Sequence, residues 1–140
     1  MSYSVEFFIP IKPIAWERTR SCGKRFFTAP KSAAYKQAIR NHLNKIKGNN
    51  KYSHGFSEIF DLPLSISMTF FLPNTKTAKR KFPSVRPDID NYAKAILDAM
   101  NEICFKDDGQ VVSLSLEKKY YSPLFGISDL GTKIIISEMK

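Results

Sequence analysis

The strongest chemical signal lies between Arg86 and Val111. Asp88, Asp90, Asn91 and Lys94 form the pattern D-x-D-N-x-x-K, and Asp107 and Asp108 follow at the next turn signal, just before Gly109. Carboxylates with no histidine or thiolate beside them suit a hard divalent cation, Mg²⁺ or Mn²⁺, rather than zinc. At a phosphodiester such a cation polarises the phosphoryl oxygen, activates water and stabilises the leaving oxygen, and a lysine placed as Lys94 is adds positive charge where the transition state needs it. The same residue types also serve structure. Asp caps helices, an Asp/Lys pair four residues apart steadies them, and two Asp before Gly make a plain turn. Asp98 and Glu102 read as an exposed helix face.

For the chemistry to work, the carboxylates must converge. Inside one helix Asp88 and Asp90 would point about 200° apart, since each residue turns about 100°. Pro87 resolves this, because proline is tolerated just before a helix: Asp88 can be extended or capping while Asp90 occupies the first turn. Both then meet at a helix N-terminus, whose partial positive charge favours anionic groups. Lys94 lies about 40° around from Asp90 on the same face. The turn at Asp107 and Asp108 would add a third carboxylate if the following strand packs beneath the helix.

The elements that must hold these residues follow from periodicity. Residues 3–9 alternate as a strand ended by Pro10, and 10–30 read as a loop carrying Arg18, Arg20, Lys24 and Arg25 among Trp16, Phe26 and Phe27, a mixture suited to DNA backbone contact and base stacking. Helical spacing of Ala34, Ala38, Ile39, Leu43 and Ile46 predicts a helix over 31–47, stopped at Gly48. A strand is expected over 62–72, a helix over 89–102, and strands over 111–121 and 133–137. The order β, α, β, α, β, β without repeats predicts a single α+β domain over 1–140: two layers, a mixed β-sheet with helices packed on one face.

Charge separates these regions. The chain of 140 residues has net charge +9, and all of it resides in residues 1–57, where eleven Lys and Arg meet only Glu6 and Glu17. The run 73–87 adds Lys76, Lys79, Arg80, Lys81 and Arg86 without an acid, and six carboxylates then fall between Asp88 and Asp108. A basic field broken by one acidic cluster is what an enzyme acting on a polyanion needs: the cations hold phosphates, and acids facing a phosphate require a cation between. Arg18, Arg20, Lys76, Lys79, Arg80, Lys81 and Arg86 are therefore the candidate residues for binding the phosphates of a nucleic acid. At 43% hydrophobic residues the chain can bury a core. Cys22 and Cys104 stand far apart and form no metal or disulfide framework, which suggests free thiols in a reducing compartment. Glu6 and Pro10 interrupt any apolar leader, and no stretch is long enough for a membrane helix, so the expectation is a cytoplasmic protein with no membrane partner.

At the segment from Asp88 through Asn101, followed by Asp107 to Val111, the sequence resembles the RusA family of Holliday junction resolvases, small homodimeric endonucleases common on phages and prophages. The resemblance extends more weakly to the first strand, the basic loop with Arg18 and Arg20, and the entry into the first helix. It implies metal-binding acids at Asp88, Asp90 and Asp108 and a catalytic lysine at Lys94. It further implies Mg²⁺-dependent cutting of four-way DNA junctions by paired symmetric nicks in recombination and repair. Pro87 departs from the basic residue that members often carry directly before the first Asp. Two alternatives remain open from the residues themselves: a non-catalytic basic nucleic-acid-binding protein, or a metal-dependent nuclease acting on other DNA structures.

Overall fold

The alternation in 4–9 and 64–72 becomes two strands of one sheet. The computed structural model describes residues 4–17, 20–22, 25–27, 30–47, 59–74, 80–121 and 130–139, with backbone alone for 20–22 and 25–27. β1 (Ser4–Ile9) is followed by a short antiparallel hairpin of β2 (Arg20–Cys22) and β3 (Arg25–Phe27), then α1 (Pro30–Ile46), β4 (Leu64–Leu72), α2 (Ile89–Met100), β5 (Val111–Tyr120) and β6 (Gly131–Glu138). The hairpin lies where sequence predicted only loop; three-residue strands are too short to show alternation. β6 begins two residues earlier than expected.

The main sheet has the order β1-β6-β4-β5. β6 pairs antiparallel with both β1 and β4, while β4 and β5 run parallel, so the sheet is mixed as expected. Parallel neighbours need a crossover, and α2 supplies it. Register places Val5, Ile136, Ile66 and Leu114 in one row across the four strands, and Phe7, Ile134, Met68 and Leu116 in the next. These rows, apart from the β5 members, are buried in one core with Ile39 and Leu43 of α1 and Ile96 and Met100 of α2. Full burial of one such side chain is worth about 1.5–3 kcal/mol. The opposite face carries hydroxyls: Ser4, Ser137, Ser65 and Ser113 stand in register across all four strands. This alternation puts both helices on one face of the sheet.

Gly131 fits the β1–β6 contact because a Cβ there would run into the Ile9 carbonyl oxygen and the Phe8 ring. β5 is the outer strand, and its Val112 and Leu114 are exposed. Two contacts fix the direction of α2. The Tyr92 ring in its first turns lies 5.4 Å from Phe70 near the end of β4, and Phe105, just beyond the helix, bridges to Phe60, just before β4. α2 therefore runs antiparallel to β4 and β5. It ends at Met100, two residues earlier than predicted, because Glu102 takes a left-handed φ of 68°. Among the described residues no helix is long and apolar enough to cross a membrane.

Candidate active site

Asp88 is the residue before α2 and is extended, with φ −68° and ψ 147°. Its side chain caps nothing. Asp90 is in the first turn, and both residues are exposed. The expected arrangement at the helix start is thus present: two carboxylates beside a terminus that attracts negative charge, neither spent on a hydrogen bond or ion pair among the described residues. The segment leading into them is held from below. The Lys118 ammonium on β5 donates to the carbonyl oxygens of Val85 at 2.8 Å and Pro87 at 3.1 Å.

Lys94 does not turn towards Asp90. Its Nζ sits 3.7 Å from the centroid of the Trp16 ring, a close cation–π contact. The Trp16 N–H donates to the Asn91 carbonyl oxygen at 2.9 Å, and the ring packs against the core, so the segment after β1 lies across the first turns of α2. The Glu17 N–H reaches the Ser32 hydroxyl at 3.3 Å and ties the same segment to α1. Sequence reasoning offered Trp16 as a base-stacking ring; the structure commits it to holding the lysine. Tyr92, beside these groups, is raised above the usual phenol range by burial, so it contributes a ring rather than a charge.

Asp108 is elsewhere. The strand after it does pack by the helix, but it enters at the helix's C-terminal end, because α2 and β5 are antiparallel and the chain turns back at once through 101–110. Twelve residues of α2 separate the two ends, about 18 Å at 1.5 Å per residue. The anticipated convergence of a third carboxylate on the helix start therefore does not occur within one chain, and among the described residues no three Asp, Glu, His or Cys gather as a metal set. Asp107 shapes the turn. Its Oδ2 accepts the Gly109 N–H at 3.3 Å, while Gln110 Oε1 accepts the N–H groups of Lys106 and Asp107 and Gln110 Nε2 donates to the carbonyls of Phe60 and Leu62. Asp98 borders an open cleft between α1 and α2 with Glu102, Lys36 and Arg40, about two turns along the helix from Asp90.

Of the candidate DNA-binding residues, Arg80, Lys81 and Arg86 are exposed, and Arg86 lies with Asp88 in one open cleft. Arg18, Lys76 and Lys79 and the side chain of Arg20 lie outside the described residues. Lys118 and Phe82 were missed by sequence reasoning. Lys118 shows its role only once β5 is known to pass under residues 85–87; Phe82 had a readable signal, a lone aromatic within a basic run. Cys104 is a free, buried thiol, pushed up to about 12 by burial, and so is unreactive, while the Cys22 side chain lies outside the described residues.

The donor set fits a hard cation. Mg²⁺ commonly takes one or two carboxylates and completes its shell with water and substrate phosphate. Asp88 and Asp90 offer oxygen donors alone, exposed and unpartnered among the described residues, at an anion-favouring terminus with a fixed ammonium near.

Comparison with known proteins shows the family. A chain from Bacillus subtilis (strain 168), "Uncharacterized protein YqaN", is 30% identical, the alignment covering 83% of this chain and 87% of the relative. The family described as Endodeoxyribonuclease RusA matches residues 9–127, which include α2, the turn at Asp108 and β5. With most of its length inside that match, the chain belongs to the RusA endodeoxyribonuclease family.

Proposed function

We infer that this protein is a Mg²⁺-dependent endonuclease that resolves four-way DNA junctions by paired symmetric nicks, acting as a homodimer. One observation carries the reading above the others: Asp88 and Asp90 stand unpartnered among the described residues at the start of α2, with the Lys94 ammonium fixed 3.7 Å over Trp16 beside them. Unpaired acids in a chain of net charge +9 that must approach phosphates need a cation.

Asp88 and Asp90 hold that cation, which when bound supplies Lewis acidity to the phosphoryl oxygen and the attacking water. Lys94, kept off Asp90 by Trp16, lays its charge where negative charge grows on the phosphoryl group. The basic residues Arg80, Lys81 and Arg86, with Arg18, Arg20, Lys76 and Lys79, bind the backbone; they position the DNA without reading its sequence. A two-fold dimer presents one site to each of two strands. It is also the arrangement in which Asp108 can serve as a third ligand, since one chain's far end of α2 can be set against the other's near end.

The test is a labelled synthetic junction incubated with Mg²⁺, with EDTA, and with the Asp90→Asn variant. Symmetric nicks, lost with EDTA and reduced about a thousandfold or more in the variant, are expected. The variant should bind the junction as tightly as the wild type or more tightly, having one less charge to repel phosphate. Cleavage that survives both treatments would overturn the assignment.

A further inference from the structure

Among the described side chains Phe82 is the one large aromatic that stands exposed, at 60%. It is not at the end of a loose loop. The next residue, Pro83, is buried, the Ser84 N–H donates to the Phe82 carbonyl oxygen at 2.8 Å, and Lys118 holds the carbonyls of Val85 and Pro87. An anchored turn therefore holds an apolar ring in solvent.

The ring lines an open cleft of about 690 Å³ together with Val85, Arg86, Asp88, Leu116 and Lys118. Val85 and Leu116 make its apolar part, and Asp88 of the cation-binding pair faces the same space. The Lys81 ammonium lies 5.6 Å from the Phe82 centroid, and Arg80 and Arg86 flank the segment. An accessible aromatic face with cations on either side is what a nucleobase and its flanking phosphates require: the ring stacks, and the cations follow the backbone. An apolar protein partner would need a broader patch and would gain nothing from three positive charges around it. Charge complementarity thus favours a polyanion as the occupant. Because Asp88 lines the same cleft, the base would adjoin the phosphodiester held there. Bases at a branch point lack part of their stacking, so drawing one out costs least at that position.

We propose that Phe82 is the stacking platform for a nucleobase displaced beside the phosphodiester cut at Asp88 and Asp90. The proposal rests on the junction-cleaving reading above and adds the subsite that engages the branch point.

The test uses junctions carrying 5-iodouracil at positions flanking the branch point, bound by full-length Asp90→Asn protein and irradiated, because this base cross-links to aromatic rings stacked on it. The cross-link is expected at Phe82, lost on adding Phe82→Ala and kept as a cross-link at position 82 with Phe82→Tyr. In the same background Phe82→Ala should weaken junction binding roughly tenfold without changing its salt dependence, and Phe82→Tyr should restore it. Absence of a cross-link at every position, unchanged affinity in Phe82→Ala, or a change of oligomeric mass in that variant without a cross-link would overturn the proposal. The two readings fail separately: wild-type protein that leaves the junction uncut with Mg²⁺ defeats the resolvase assignment, whereas a cross-link to Phe82 on single-stranded or linear DNA would still support stacking.

Discussion

The two ends of α2 carry similar residues and treat them in opposite ways. At the start, Asp88 and Asp90 are exposed and their carboxylates accept no hydrogen bond among the described residues, and Lys94 is drawn onto an indole rather than an acid. At the far end the helix terminus and the turn are tied down, although Asn101 Oδ1 is buried without a partner among the described residues. Arg40 donates from Nη1 to the carbonyls of Ala99 and Asn101, which a helix terminus leaves free, and Asp107 and Gln110 lock the turn into β5. Satisfied polar groups stabilise; unsatisfied ones at the surface are available to bind. The Asp108 carboxylate also has no partner among the described residues. It is exposed, and the turn that positions it uses the side chains of Asp107 and Gln110 instead.

That exposed acid gives the largest expected effect. If Asp108 belongs to the site built on Asp88 and Asp90, then Asp108→Asn should abolish cleavage as fully as Asp90→Asn, although about 18 Å of helix lies between the two ends of one chain. Mixing the two inactive variants sharpens the comparison. With sites shared across a two-fold, a mixed dimer has one site with both lesions and one intact site, so nicking should return to about a quarter of the wild-type level when half the dimers are mixed. Sites made within single chains would carry one lesion each, and mixing would restore nothing. Measuring nicked junction after co-refolding the variants decides between these outcomes.

The sequence made the start of α2 readable because its logic is local. Pro87, Asp88, Asp90 and Lys94 lie within two helical turns, and cap chemistry with a 100° turn per residue is enough to place them. The mixed sheet with helices on one face was equally readable, from the order β, α, β, α, β, β together with the alternation in β1 and β4. What could not be read depends on contacts distant in sequence. Whether Asp108 approaches Asp88 depends on the direction in which α2 crosses the sheet, which Tyr92 on Phe70 and Phe105 on Phe60 determine. Trp16 is 78 residues before Lys94, and nothing in its neighbourhood marks it as the lysine's support rather than a DNA-facing ring. The β2–β3 hairpin is shorter than any pattern that periodicity can detect.

Trp16 offers the next largest effect. Replacing it by leucine keeps an apolar side chain of moderate size against the core but removes the π face, so Lys94 should be free to swing towards Asp90. Cleavage should then fall roughly 10- to 100-fold, mainly in the chemical step, as for loss of one oriented transition-state donor. Junction affinity should change little. Trp16 is the chain's one tryptophan, so its fluorescence reports the contact directly: Lys94→Met should shift the emission in the absence of DNA and metal. Unchanged emission in that variant would show that the ammonium does not rest on the ring.

The smallest effect tests the side chain that braces the turn at the far end of α2, where, Asp108 apart, the expectation is stability rather than chemistry. Gln110 makes four hydrogen bonds from one side chain, accepting from the Lys106 and Asp107 N–H groups and donating to the Phe60 and Leu62 carbonyls. These ties join the turn before β5 to the segment before β4. Alanine leaves the four backbone groups without their partner, but three of those bonds are exposed and only the one to Phe60 is part-buried, so most groups can recover water and the cost should be about 2 kcal/mol rather than the sum of four buried losses. The expected result is a lower denaturation midpoint in urea at constant slope, with cleavage per folded molecule close to wild type at low temperature. A large loss of cleavage at unchanged stability would mean that Gln110 sets the position of Asp108 for the reaction and does not merely hold the turn together.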